Sequence, residues 1–116
     1  MVNPQRGELL IKLGGQSLKA RLTIDSLVRI ETSIGCSIIK MANKLSLAEA
    51  TITDIVNVLT PAIKGGGNDM NEKDIMKLIG KGGLIEAMKC AGDIVTTALQ
   101  TGQDEGNEEA EENKET

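Results

Sequence analysis

Two runs of alternating apolar and polar residues meet at a pair of glycines in "GELLIKLGGQSLKARLT", residues 7–23. Leu9, Ile11 and Leu13 alternate with Glu8, Leu10 and Lys12. Leu18, Ala20 and Leu22 then alternate with Ser17, Lys19 and Arg21. Period-two alternation across a Gly-Gly step predicts a β-hairpin. A two-residue turn at Gly14-Gly15 pairs Ile11 with Leu18 and Leu9 with Ala20, so every apolar partner falls on one face. The same register sets Glu8 opposite Arg21, a favourable cross-strand charge pair. Leu10 falls on the polar face, either as an ordinary exposed leucine or as a contact residue.

Helical signals follow the hairpin. Thr23 is a good N-cap and Asp25 suits the positive end of a helix dipole. Ile24, Leu27, Val28 and Ile34 read as one stripe of a helix over 24–34, which Gly35 ends. Ser37 opens a second helix over 37–45, with Ile38, Ile39, Met41, Ala42 and Leu45 apolar; its end falls between Lys44 and Ala50. Thr53 and Asp54 start a third over 53–64, carrying Ile55, Val56, Leu59, Ala62 and Ile63. Pro61 lies inside that pattern and should kink it or distort its last turn. Gly65-Gly66-Gly67 and Asn68-Asp69 read as a loop. Asn71 and Asp74 make a capping box for a fourth helix over 72–79. The longest helix spans 84–101, where Leu84, Met88, Ala91, Val95 and Ala98 step by four and three to form a packing seam. Gly92 within it reads as a close-packing position.

The composition excludes several function classes. There is no Phe, Tyr or Trp, so the core must come from Ile, Leu, Val, Met and Ala. There is no histidine, which removes the commonest general base and metal ligand, and with them His-dependent triads and Cys/His zinc sites. Cys36 and Cys90 stand far apart and read as two buried thiols in a reducing compartment. No apolar run approaches the length of a membrane span, and no secretory leader pattern opens the chain, so an intracellular protein is expected. The acids are scattered, and nothing in their spacing points to a carboxylate-held Mg²⁺. No catalytic, cofactor-binding or metal-binding residue is therefore assigned, an enzyme is not expected, and protein-binding residues are not specified.

Charge is unevenly spread. Seven acids against Lys114 give residues 103–116 a charge of −6, and the net charge of −4 then leaves +2 on residues 1–102. "QDEGNEEAEENKET" has no large apolar residue to bury and reads as a disordered acidic tail. Its role would be solubility, or masking of a basic surface.

The run Ile79-Gly80-Lys81-Gly82-Gly83 is similar to the loop by which KH domains grip single-stranded RNA. That loop works beside a sheet that completes the nucleotide groove. Here helices flank the glycines, no strand pattern follows, and no aromatic is available to stack on a base. The simpler reading makes Gly80 the left-handed residue that ends one helix, with Gly82 and Gly83 turning the chain into the next. "GKGGLI" also lacks the spacing of a Walker phosphate loop.

"RGELLIKLGG…LTIDSLVRIETSIGCSI" resembles the phage tail assembly chaperone family typified by the small tail protein of gene transfer agents. Gly7, Glu8, Gly14, Thr23, Leu27, Ile30, Glu31, Gly35, Ser37 and Ile38 carry the resemblance. It continues more weakly through "TDIVNVLTPAIKGG" and the final helix, from Arg6 to Thr101 in all. Ile24 stands where the family usually has an aromatic, Pro61 interrupts a helix usually unbroken, and the acidic tail is an addition. The resemblance implies a non-enzymatic role in building a phage or prophage tail in the cytoplasm of a bacterial host. The chaperone would bind the tape-measure protein, the tail-tube protein, or both, with self-association possible. Because the family is also described as tail-tube related, a structural tail-tube or tail-completion subunit is the alternative. A small RNA-binding module using Gly80–Gly83 is an alternative of another class.

The expected fold is α+β: a two-stranded antiparallel hairpin over 7–22 packed on four to five helices. Residues 1–102 would form one domain, and residues 103–116 the disordered acidic tail.

Overall fold

A computed structural model of the protein describes residues 2 and 7–101. Strands β1 (Leu9–Leu13) and β2 (Gln16–Ala20) form an antiparallel hairpin. Five helices follow: α1 (Ile24–Ile34), α2 (Ile38–Ser46), α3 (Ile52–Gly65), α4 (Glu72–Gly82) and α5 (Leu84–Thr101). The architecture is α+β, as the sequence pattern dictates. The tail expected over 103–116 lies outside the described residues.

The hairpin register pairs Leu9 with Ala20 and Ile11 with Leu18. Gly14 and Gly15 adopt φ values of 60° and 86°, the left-handed pair that matches a tight turn to the strand twist. The apolar face is buried at Ile11, Leu13, Leu18 and Ala20, while Leu10 projects to solvent. Strand β2 stops at Ala20 rather than running to Leu22. Just past the strand, Arg21 N–H donates to the carbonyl of Ala62 on α3 at 2.9 Å. The ladder ends one pair short of the expected Glu8–Arg21 position. Glu8 is buried, with Lys19 Nζ 3.9 Å away.

Helices α3 and α5 are the central elements. Helix α5 packs on α2, α3, α4 and β1, and α3 packs on α1, α4, α5 and β2. Accordingly α3 is buried at Ile55, Val56, Val58, Leu59, Ala62 and Ile63, well beyond a single stripe. Its start lies earlier than expected. Thr51, not Thr53, is the N-cap, and it exchanges capping-box hydrogen bonds with Asp54 at 3.0 Å in each direction. Helix α3 continues through Pro61 to Gly65, so the proline does not end it.

Two stripes differ from their sequence reading. In α1 the fully buried residue is Ile30; Ile24 and Val28 are exposed, and Leu27 and Ile34 are half-buried. The helix leans on α3 through the 27/30/34 side, leaving the 24/28 side uncovered. In α5 the buried face is Ala87, Cys90, Ala91, Ile94, Val95 and Ala98. Leu84 is exposed because it stands at the corner where α5 begins. Of the two thiols, Cys90 is buried and Cys36 only half-buried.

Candidate functional site

The glycine run does not form a loop. Gly80 and Gly82 belong to α4, which extends three residues past its expected end at Ile79. The turn is made by Gly83 alone, at φ 96° and ψ 157°, with its N–H bonded to the Ile79 carbonyl at 2.7 Å. Gly80 is therefore not the left-handed terminator. Among the described residues the sheet has two strands, both in the N-terminal hairpin, and neither adjoins this corner in sequence. The arrangement a KH-type groove requires is not present there.

What the corner holds is the hairpin turn. Glu86, in the first turn of α5, accepts a hydrogen bond from Gly14 N–H at 2.9 Å. Its carboxylate also suits the positive N-terminal end of α5. A Cβ on Gly82 would collide with that carboxylate and would sit 2.9 Å from Gly14 N. A Cβ on Gly14 would meet the Leu78 carbonyl at 2.7 Å. Glycines from two distant segments thus let the turn seat directly on the end of α4.

Both outer edges of the ribbon are also occupied. On the β1 side, Cys90 Sγ donates to the Lys12 carbonyl at 3.2 Å. On the β2 side, Asn68 Nδ2 donates to the Lys19 carbonyl at 2.7 Å and to the Ile63 carbonyl at 2.9 Å. Gly66 approaches the Lys19 carbonyl so closely that a Cβ there would overlap it. The "GGGND" segment, read from sequence as a plain loop, lies against β2 and covers its edge. Covered edges suppress strand-to-strand aggregation.

The Ile-Glu pair at 30–31 acquires a physical meaning. Ile30 enters the core, while Glu31 Oε2 accepts the Ile38 N–H at 2.9 Å, an orphan donor at the start of α2. Ser37 Oγ takes the Lys40 N–H at 3.0 Å, and Gly35 at φ 77° makes the bend between the helices. Gly35, Ser37 and Ile38 serve one corner.

Two shallow clefts border α5. One, of about 380 Å³, lies between α2 and α5 over Ala42, Leu45, Met88 and Gly92, with Ile85 at its lip. The other, of about 260 Å³, lies between β1 and α5 and includes Leu10, Glu86 and Cys90. Lys89 and Asp93 border both. Gly92 is not tightly packed: a Cβ there would meet only Leu45 Cβ, at 4.0 Å. Burial, then the charges of Glu86 and Asp93, push the Cys90 thiol above its ordinary pKa. A buried, protonated thiol is a poor nucleophile. Among the described residues no three acids or thiols cluster as a metal site would require.

A family model described as "Phage tail tube protein, GTA-gp10" matches residues 6–101. No curated protein and no solved structure matches the chain.

Proposed function

The chain belongs to the phage tail tube protein, GTA-gp10, family, and from that membership we propose that it is a structural subunit of a phage or gene-transfer-agent-like tail tube. The observation that carries this reading is the extent of the match. It spans residues 6–101, through both strands and all five helices, and leaves out the acidic segment. The tube description favours the structural alternative over the chaperone first expected from the resemblance.

The surface chemistry supports it. A tube subunit must meet neighbours on more than one side, because head-to-tail contacts use two different patches. Exposed aliphatic side chains occur on separate elements: Leu10 on β1 is 61% exposed, Leu47 after α2 65% and Ile85 on α5 84%. No helix among the described residues is long and apolar enough to cross a membrane. The partners on this reading are further copies of the chain and other tail proteins, and assembly takes place in the host cytoplasm. No catalytic step is involved.

Mass spectrometry of purified particles from the same locus tests the proposal. The protein should be present as a repeated component, in many copies per tail. Its absence from particles, with recovery instead in a lysate complex with the tape-measure protein, would overturn the tube reading in favour of the chaperone.

A further inference from the structure

Helix α4 exposes a row of three lysines. Lys73, Lys77 and Lys81 recur every four residues, on the side opposite buried Ile75, Leu78 and Ile79. The row is about 12 Å long at the helical rise. Lys19, Arg29 and Lys44 have carboxylate partners in Glu8, Asp25 and Asp54, whereas Lys12, Lys40, Lys64 and Lys89 stand singly; among the described residues, only on α4 do unpaired lysines line up in a row. Among the described residues no carboxylate lies within ion-pair distance of Lys73, Lys77 or Lys81. Of the two acids in the first turn of α4, Asp74 is engaged in the capping box with Asn71, and Glu72, beside Lys73 in sequence, forms no ion pair with the row. Like charges at i and i+4 repel along a helix, so this row is locally unfavourable unless something neutralises it.

We propose that the acidic segment 103–116 of the same chain covers the α4 lysine row. Complementarity is the first argument. The segment carries −6, opposite in sign to the three lysines of the row. Reach is the second. Helix α5 is about 27 Å long, it packs on α4, and the fifteen residues after Thr101 can extend about 50 Å. Tethering is the third. A short linker gives an effective concentration in the millimolar range, which favours the chain's own segment over that of a second copy in dilute solution. The cover competes with any other polyanion for the row. It extends the function beyond the tail role, because residues 6–101 alone make up the family match.

The test uses the full chain with Cys36→Ser and a nitroxide attached at Asn107→Cys; Cys90 is buried and stays unlabelled. At low salt the amide signals of Lys73, Lys77 and Lys81 should broaden, independently of protein concentration. Broadening should disappear in Lys73→Gln/Lys77→Gln/Lys81→Gln, and at about 1 M salt, where the Debye length is only about 3 Å. These lysines are exposed, so the triple variant keeps the fold, checked by its unchanged unfolding midpoint. No broadening on α4, or broadening that survives the triple variant, overturns the proposal. A mixture of isotope-labelled chain without nitroxide and unlabelled chain with nitroxide provides the remaining arm. Broadening in that mixture assigns the contact to a second copy and overturns the same-chain cover. Either result is independent of whether the protein is found in particles.

Discussion

Glu86 Oε1 holds the N–H of Gly14 at 2.9 Å, joining the hairpin turn to the first turn of α5 across 72 positions of sequence. A turn N–H covered by the α4–α5 corner has few alternative partners. Glu86→Ala should therefore cost about 1–3 kcal/mol, because the donor is left partly buried and unpaired. Glu86→Gln keeps an acceptor but loses the charge, and charge-assisted bonds are about twice as strong as neutral ones. It should lose roughly half as much. Urea unfolding followed by circular dichroism reads both; equal midpoints for Glu86→Ala and wild type would remove the clamp from the list of stabilising contacts.

The glycines of the α4 end separate by what a methyl group would meet. At Gly80 nothing lies within 4 Å, and the residue is helical, so Gly80→Ala should stabilise by about 0.5–1 kcal/mol. At Gly82 the methyl meets the Glu86 carboxylate and Gly14 N, and at Gly66 it meets the Lys19 carbonyl. Both substitutions should destabilise by about 1–3 kcal/mol, as overpacking does. Gly66→Ala should be the worse, because a strand carbonyl cannot swing aside as a side chain can. A loss of stability in Gly80→Ala would contradict the helical assignment of that residue.

Helix α2 ends in a Schellman arrangement: Glu49 N–H reaches the Lys44 carbonyl at 2.7 Å and Ala48 N–H reaches Leu45 at 3.2 Å. The left-handed position is filled by Ala48, at φ 58°, where glycine is the usual occupant. Ala48→Gly removes the clash of Cβ with the backbone at the expense of chain entropy in the unfolded state. The net expected gain is about 0.5–1 kcal/mol. The urea midpoint should rise with an unchanged m-value; a lower midpoint would mean that the strain at Ala48 is not being relieved.

The same residue explains why one helix end was illegible while its neighbour was plain. Gly35 announces the end of α1, whereas the α2 end is carried by an alanine that no local rule marks. The hairpin register was readable because a one-residue slip would turn Leu9, Ile11, Leu18 and Ala20 outward together. Capping by Thr23, Ser37 and Asn71 was readable for the same local reason. The start of α3 carried a local signal that Thr53 obscured: Thr51 and Asp54 have the same capping-box spacing as Asn71 and Asp74, and that exchange selects Thr51. The remaining differences fall where tertiary contact decides. Ile24 and Ile30 are equally apolar, but α3 covers only Ile30. Gly80–Gly83 was legible as a bend and not as a clamp, since its partner, Gly14, is far away in sequence. The one available signal was Glu86, an acid in a first turn whose second role needed the fold to be seen. The lysine row at 73, 77 and 81 was open to sequence reading by its spacing alone, yet only the burial of Ile75, Leu78 and Ile79 shows that it faces solvent.

The Cys90 thiol supplies a pH dependence with a definite sign. Its pKa is raised in the folded protein, first by burial and then by Glu86 and Asp93. Below the ordinary thiol range both folded and unfolded chains keep the proton, and the thiol adds no pH dependence. Above that range the unfolded chain releases its proton while the folded one retains it, so the unfolded state gains stability. Folding stability should therefore fall as pH rises from the ordinary thiol value toward the raised one. The limiting slope is about 1.4 kcal/mol per pH unit for one group. Cys90→Ala should be less stable at neutral pH, through loss of packing and of the bond to the Lys12 carbonyl, but should lack this component of the alkaline decline. Cys36→Ala should keep it. Unfolding midpoints of the three proteins from pH 7 upward make the comparison, and parallel curves for wild type and Cys90→Ala would show that the buried thiol does not titrate differently in the folded chain.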